Sequence, residues 1–468
     1  MTTGSTRGAF SSCASTTPTI PPSPAPLPLT AWRAASSRRK SSTPIRAIYG
    51  RSGCTTPLSF NMCAVQDLAG SSSEGRPTPR LERIAILAGG VCTPIGQDVD
   101  AFWSALLTGA DGISRIERFP VDDLRVGNGG EIKKLTRAIE WSRVPDCRAS
   151  RLLVSAADDL LSQAGARPLP VAPERLAVVV GTALGGVEEG ERALAGDEVG
   201  RLPRALYDAP AHALKRWLGA RGPAITVATA CASGATAMGL GAELLRRGEA
   251  DMVVAGGYDG LCRFVLRGFN GLRSLTRDRV RPFDGRRSGL LLGEAAGLVL
   301  LCRERDAGAR RLGTLLGYGS ASDAAHIAAP DPEGRGIERA MRGALAQAGV
   351  DAGDVDFVSA HGTATTLNDA SEAKALRRVL GARRVPVNSI KGAIGHTMGA
   401  AATLEAILCL LAGRHGQVPA TLGLEELDPA CDLDLIQGAP RALRPRLSLS
   451  TSLGFGGCNA ALVLQGAT

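Results

Sequence analysis

Residues 224–235 read Ala-Ile-Thr-Val-Ala-Thr-Ala-Cys-Ala-Ser-Gly-Ala. The first five are apolar or β-branched and suit a short buried strand. The next residues are uniformly small, and the run from Ala230 to Ala237 opens a helix. A second strand follows at Asp251-Met-Val-Val-Ala-Gly-Gly. Residues 224–257 are therefore strand, tight turn, helix, strand, which is the unit of a layered α/β fold. Residues 385–413 start alike, with Val385-Pro-Val-Asn-Ser, a Gly-rich turn and a helix expected from Met398 to Ala412. Two similar halves packed back to back would explain this echo.

Outward from that stretch, further strands are expected at Arg83–Gly90, Arg175–Gly181, Gly297–Leu301, Asp356–Ala360 and Ala461–Leu464. They are apolar throughout rather than alternating, so both of their faces should be covered. Residues 1–81 differ in kind. They hold a Pro-rich stretch from Pro18 to Pro28, Ser/Thr clusters and Arg38-Arg39-Lys40. Their composition fits a disordered tail, an organelle transit peptide, or a start site set too far upstream in a GC-rich gene. The folded part is expected to begin near Leu81 and to divide into halves at 82–305 and 306–468.

The net charge of +9 is concentrated in the tail. Residues 1–81 have nine basic and two acidic side chains, leaving 45 against 43 in the rest. A nearly neutral core gives nucleic-acid binding no electrostatic support. The 11 cysteines form no CxxC pair, which fits a reducing compartment. No apolar run is long enough to span a membrane; residues 290–302 come nearest and contain Glu294.

The chemistry centres on Cys231, at the junction of strand and helix. A helix N-terminus favours negative charge, so its thiol pKa is expected to fall. An inert buried cysteine is the plainer reading of any one such residue. Of five histidines, His361 ends a strand in Ser359-Ala-His-Gly-Thr-Ala-Thr, and His396 precedes a helix in Lys391-Gly-Ala-Ile-Gly-His. His212 and His415 read as surface residues. No histidine has metal-ligand spacing, so no metal is expected. Lys391 is one of only six lysines and calls for a carboxylate partner. Ser450-Thr-Ser-Leu-Gly-Phe-Gly-Gly-Cys-Asn reads as a Gly-rich loop able to aim N–H groups at an oxyanion.

Taken in order, Cys231 in TACASG, His361 in HGTAT with NDxxE, KxxxGH, and GFGG resemble the β-ketoacyl-acyl-carrier-protein synthases. The elongating types I and II resemble it most. Arg281-Pro-Phe-Asp, Gly293-Glu-Ala-Ala-Gly, Asp323-Ala-Ala-His and Asp428-Pro-Ala-Cys-Asp extend the likeness from Arg83 to Gln465. The resemblance implies a thiolase-type fold of five αβαβα layers and a homodimer. It implies that Cys231 holds an acyl group taken from the phosphopantetheine of acyl carrier protein, with no separately bound cofactor. The N–H groups of Cys231 and Phe455 would bind the oxyanion, and Phe455 would gate entry. His361 and His396 would stabilise the enolate left when malonyl carrier protein loses carbon dioxide. Thr363 and Thr365 would contact the pantetheine arm, and Lys391 with Glu372 or Glu405 would organise the histidines. The resemblance also implies a cytoplasmic enzyme, or a plastid or mitochondrial one if residues 1–81 act as a transit peptide.

Thr366, Ala295, Leu453 and Cys458 stand where this family usually has Pro, Gly, Phe and Thr. The stretch Phe269–Arg281 is shorter than in housekeeping fatty-acid enzymes. Acyl-chain preference and the choice between fatty-acid and polyketide or polyene pathways therefore stay open. Two other readings compete: a degradative thiolase, with Cys458 as acid/base, and a non-catalytic chain-length partner. Neither accounts for Cys231 together with both histidines.

Overall fold

Uninterrupted apolar runs make the strands, as strands covered on both faces require. The computed structural model describes residues 81–467 apart from 197, 309 and 310. The tail, transit-peptide and start-site readings therefore lie, Leu81 apart, outside the described residues. In the first half run β1 (Ile84–Cys92), β2 (Leu176–Gly181), β3 (Ala224–Val227), β4 (Met252–Asp259) and β5 (Ala295–Arg303). The second half has β6 (Gly313–Ser322), β7 (Phe357–Ser359), β8 (Pro386–Asn388), β9 (Asp434–Leu435), β10 (Leu447–Gly454) and β11 (Cys458–Gly466).

The strands form one eleven-stranded sheet in the order β9-β8-β7-β10-β11-β6-β1-β5-β4-β2-β3. Two copies of one pattern lie within it. In β3-β2-β4-β5-β1, and again in β8-β7-β10-β11-β6, the strands stand third, second, fourth, fifth, first along the chain. Pair directions repeat as well: third with second and second with fourth are parallel, the rest antiparallel. The echo between residues 224–257 and 385–413 belongs to this repeat. β1 and β6 join the two sets through three residue pairs.

Helices complete five layers. Helix α1 (Arg148–Ala164) covers the outer face of the first set, where Leu152 and Leu160 meet Val178, Val180 and Leu298. Helices α2 (Ser233–Arg246) and α5 (Ala401–His415) lie between the sets, in one apolar cluster with Val179, Val299 and Leu462. Helices α3 (Arg335–Ala348) and α4 (Thr366–Leu380) cover the far face, where Ile337 and Leu376 meet Val358, Leu449 and Val463. Every residue of α5 from Ala401 to Gly413 is buried, as a helix walled in on all sides requires. Each fully buried Leu, Ile or Val adds roughly 1.5–3 kcal/mol of transfer free energy.

Three local readings need correction. β6 went unrecognised, because Gly313, Gly317 and Gly319 interrupt its apolar pattern. Gly317 and Gly319 are there so that helix α3 can approach: a Cβ on either would lie 2.1 Å from a carbonyl oxygen of that helix. Ser450–Asn459 is not a loop either. Its first half is buried β10, whose Ser and Thr residues hide it, and only Phe455–Gly457 turns. The expected helix at Met398 begins as a 3-10 turn, Met398–Ala400, before α5.

Candidate active site

Cys231 follows Ala230, whose φ of 50° is left-handed. For a residue with a Cβ that conformation costs roughly 1–2 kcal/mol. Ser233 holds it in place: its Oγ donates to Ala230 O at 2.6 Å and accepts from Thr229 N at 2.9 Å. The second half repeats the bend, with Met398 at φ 49° opening the 3-10 turn into α5. The two helix starts touch, since a Cβ on Gly234 would lie 2.7 Å from Gly399 O; β4 is as close, since one on Gly257 would lie only 1.9 Å from the same oxygen. Small residues at these turns let the halves meet, which brings Cys231 beside groups from the second half.

His396 is the first of those groups. Its main chain is pinned by His396 N donating to Leu291 O at 2.7 Å and Gly293 N donating to His396 O at 2.9 Å. Its Nε2 stands 2.9 Å from Cys231 Sγ. Met398 N donates to its Nδ1 at 3.3 Å, which leaves Nε2 as the N–H. His361, just past the end of β7, sets its ring edge-on to His396 with centroids 5.2 Å apart. Glu372 of α4 fixes the His361 backbone: its carboxylate accepts from His361 N at 2.8 Å, Gly362 N at 2.9 Å and Thr451 Oγ1 at 2.6 Å. Lys391 pairs with Glu405 rather than Glu372, at 2.5 Å, with both side chains buried. The open choice between these carboxylates thus resolves: Glu405 takes the ammonium, and Glu372 grips the His361 main chain.

Burial governs the titration of this cluster. Both histidines are held well below the usual imidazole range, first by burial and then by the Lys391 charge. They are neutral at physiological pH. Burial pushes Glu405 up to about 7 against the pull of Lys391. The expected fall in the Cys231 pKa is reversed. Burial pushes the thiol up to about 12, against Lys391 and the main-chain N–H groups of Phe455 and Cys231. Expectations from helix position left out how little water reaches a side chain only 8% exposed.

Phe455, in the turn after β10, is 37% exposed and stacks on Phe269, centroids 5.5 Å apart. Thr363 and Thr365 hydrogen-bond each other at 3.0 Å. Both threonines, both histidines, Cys231 and Phe455 line one cavity of about 370 Å³. Thr366 and Leu453, two of the departures from the family pattern, line it too, whereas Ala295 and Cys458 do not. Arg273, Asp323, His326 and Asn459 also line it and were not singled out from the sequence as site residues. Asp323 and His326 stand in the Asp323-Ala-Ala-His segment, which could have signalled them. His212 and His415 lie exposed, as expected.

The donor atoms of Cys231, His361 and His396 fall within 4.8 Å of one another, a grouping that sequence spacing did not predict. A metal would need a lone pair on His396 Nε2, and Met398 N opposes that tautomer. The cluster is better suited to donating hydrogen bonds toward an oxygen above the sulfur.

"Beta-ketoacyl synthase, N-terminal domain" matches residues 81–307, and "Beta-ketoacyl synthase, C-terminal domain" matches residues 312–425. The chain is 33% identical over 406 residues to 3-oxoacyl-[acyl-carrier-protein] synthase 2 of Staphylococcus aureus strain COL. That alignment covers 82% of this chain and 98% of the relative. Among solved structures, the ishigamide ketosynthase/chain length factor superposes with a TM-score of 0.78 at 33% identity, over 82% of this chain and 99% of that one. AntDE:AntF, a type II polyketide synthase acyl-carrier protein in complex with its ketosynthase bound to the hexaketide, gives 0.75 at 25% identity, over 82% and 100%. With a cysteine at a strained turn, two neutral histidines against it and both domains matched, this chain belongs to the β-ketoacyl synthase family.

Proposed function

We propose that this protein is a 3-oxoacyl-[acyl-carrier-protein] synthase, an acyltransferase that condenses an acyl group held on Cys231 with a malonyl unit. The 2.9 Å approach of His396 Nε2 to Cys231 Sγ, beneath the shared cavity, is the observation that carries this reading. Cys231 attacks the thioester of an acyl carrier protein. The carrier leaves as a free thiol, taking up the cysteine's proton, and the acyl group stays on sulfur. The N–H groups of Cys231 and Phe455 stabilise the tetrahedral oxyanion.

In the second step a malonyl thioester enters the cavity, with Thr363 and Thr365 beside the pantetheine arm. His361 and His396 donate N–H groups to its thioester oxygen. The carboxylate leaves as carbon dioxide, and its bonding electrons become the enolate, which the two donors stabilise. The enolate carbon then attacks the acyl-cysteine carbonyl. A carbon–carbon bond forms, the carbon–sulfur bond breaks, and the thiolate takes a proton from solvent water. Neutral histidines suit this role, because the step needs hydrogen-bond donors and not a base. No cofactor beyond the carrier's own phosphopantetheine enters the scheme. Lys391 and Glu372 position the histidines, the first by charge and the second through the His361 main chain.

The partners would be acyl carrier proteins and a second copy of this chain. Edge strand β3 favours the second copy, since all four of its residues are only half-buried and one side is unpaired. Among the described residues no helix is long and apolar enough to cross a membrane.

To test the activity, purified protein is given acyl- and malonyl-carrier protein, and carbon dioxide and 3-oxoacyl product are measured. The wild type is expected to yield both and Cys231→Ala neither, with its fold retained; full condensation by Cys231→Ala would refute the nucleophile. His361→Ala is expected to acylate Cys231 and fail at decarboxylation. A panel of acyl chains, read by mass spectrometry on Cys231, separates fatty-acid from polyketide preference.

A further inference from the structure

Asp259 ends β4, is fully buried, and plays no part in the scheme above. Its Oδ1 accepts from Thr182 Oγ1 at 2.6 Å and Leu184 N at 2.9 Å. Its Oδ2 accepts from Ala183 N at 2.9 Å and Gly399 N at 2.7 Å. Four donors and no competing acceptor meet this carboxylate. Such a shell suits an anion, although burial pushes its pKa up to about 6.

The two sides of the shell lead to different reacting groups. Gly399 lies three residues after His396, and Met398 between them donates to the His396 ring. Thr182 O lies 3.2 Å from Ser233 Oγ and shares, as the longer partner, the one proton by which that hydroxyl holds the bend before Cys231. The fit has no slack: a Cβ on Gly399 would lie 2.8 Å from Asp259 Oδ2 and 2.7 Å from Thr182 Cα.

We propose that Asp259 is a positioning residue that ties the His396 turn to the Cys231 turn and so sets the separation of Nε2 and Sγ. The proposal rests on the acyl-transfer reading above. Gly399 N is held directly, while the Cys231 turn is reached through Thr182 and Ser233. Loss of the carboxylate therefore displaces His396 more than Cys231, and enolate formation suffers more than acylation. The carboxylate's charge also opposes ionisation of the Cys231 thiol. A neutral replacement eases that ionisation.

Asp259→Asn keeps the shape but turns an NH2 group toward N–H donors. Acylation of Cys231 by acyl carrier protein is expected to stay within about threefold of wild type, while condensation kcat falls on the order of 100-fold. The KM for malonyl carrier protein should hold. Alkylation of Cys231 by iodoacetamide should move to lower pH. A merely structural role would lower both steps together with the folded fraction. Equal losses in both steps, in folded Asp259→Asn, overturn the proposal. Should that variant not fold, Thr182→Val removes one donor and keeps the charge. It is expected to slow condensation more than acylation, and equal losses there overturn the proposal too. Wild-type protein that does not condense would instead refute the acyl-transfer reading, so the two failures are told apart.

Discussion

At the scale of single residues, the cysteine and the histidines were legible because reactive groups on an α/β fold gather at strand ends. Their electrostatics were not, because burial is a property of the whole fold. Cys231 shows the difference most plainly: position predicts a low pKa, and burial gives a high one. Iodoacetamide alkylation of wild-type Cys231 should therefore rise tenfold per pH unit up to about pH 9, with no plateau near neutrality. A plateau near pH 7 would show that helix position outweighs burial. Lys391 and Glu405 allow a second test. Lys391→Met strands a buried carboxylate and should cost about 3–5 kcal/mol of stability in urea unfolding. Adding Glu405→Gln should recover most of that loss, since the pair is then replaced rather than broken. Losses that simply add would mean the two groups do not interact.

Secondary-structure elements were legible wherever apolar runs were unbroken, as in β2 and β4. They were hidden where glycines or hydroxyls interrupt them, as in β6 and β10. In β6 the glycines are a packing requirement, invisible until the helix above them is known. Two glycines separate this role from ordinary helix propensity. Gly257→Ala would push a Cβ to 1.9 Å from Gly399 O, a main-chain atom that can give way only if β4 and the turn into α5 part. That variant is expected to lose several kcal/mol, at the upper end of overpacking effects. Gly343 lies exposed within α3, and a Cβ there meets nothing nearer than 3.8 Å. Gly343→Ala should gain about 1 kcal/mol from helix propensity alone. Urea midpoints measured side by side settle both, and a tolerated Gly257→Ala would remove the close-approach account of the site.

For the whole molecule, the repeated strand order explains why chemistry arises where the halves meet. Each half supplies one bent turn into a central helix, one bearing Cys231 and the other following His396, so neither half holds the full constellation. The weak echo in the sequence carried this arrangement, but not the closeness of the turns, which depends on contacts far apart along the chain. The repeat also leaves β3 at one end of the sheet, while β9 caps the corresponding strand β8 at the other. Uncapped edge strands favour pairing with another chain, and a two-fold axis beside a short strand aligns it antiparallel with its own copy. With residue 226 on that axis, it would face its own copy at roughly 5 Å, where like charges repel. Thr226→Arg places two such charges at the axis, whereas Thr226→Ser leaves the edge intact. Light scattering should find the wild type and Thr226→Ser dimeric and Thr226→Arg shifted to monomer. A wild type that is monomeric at micromolar concentration, or a Thr226→Arg protein as dimeric as its parent, would rule out β3 as the contact.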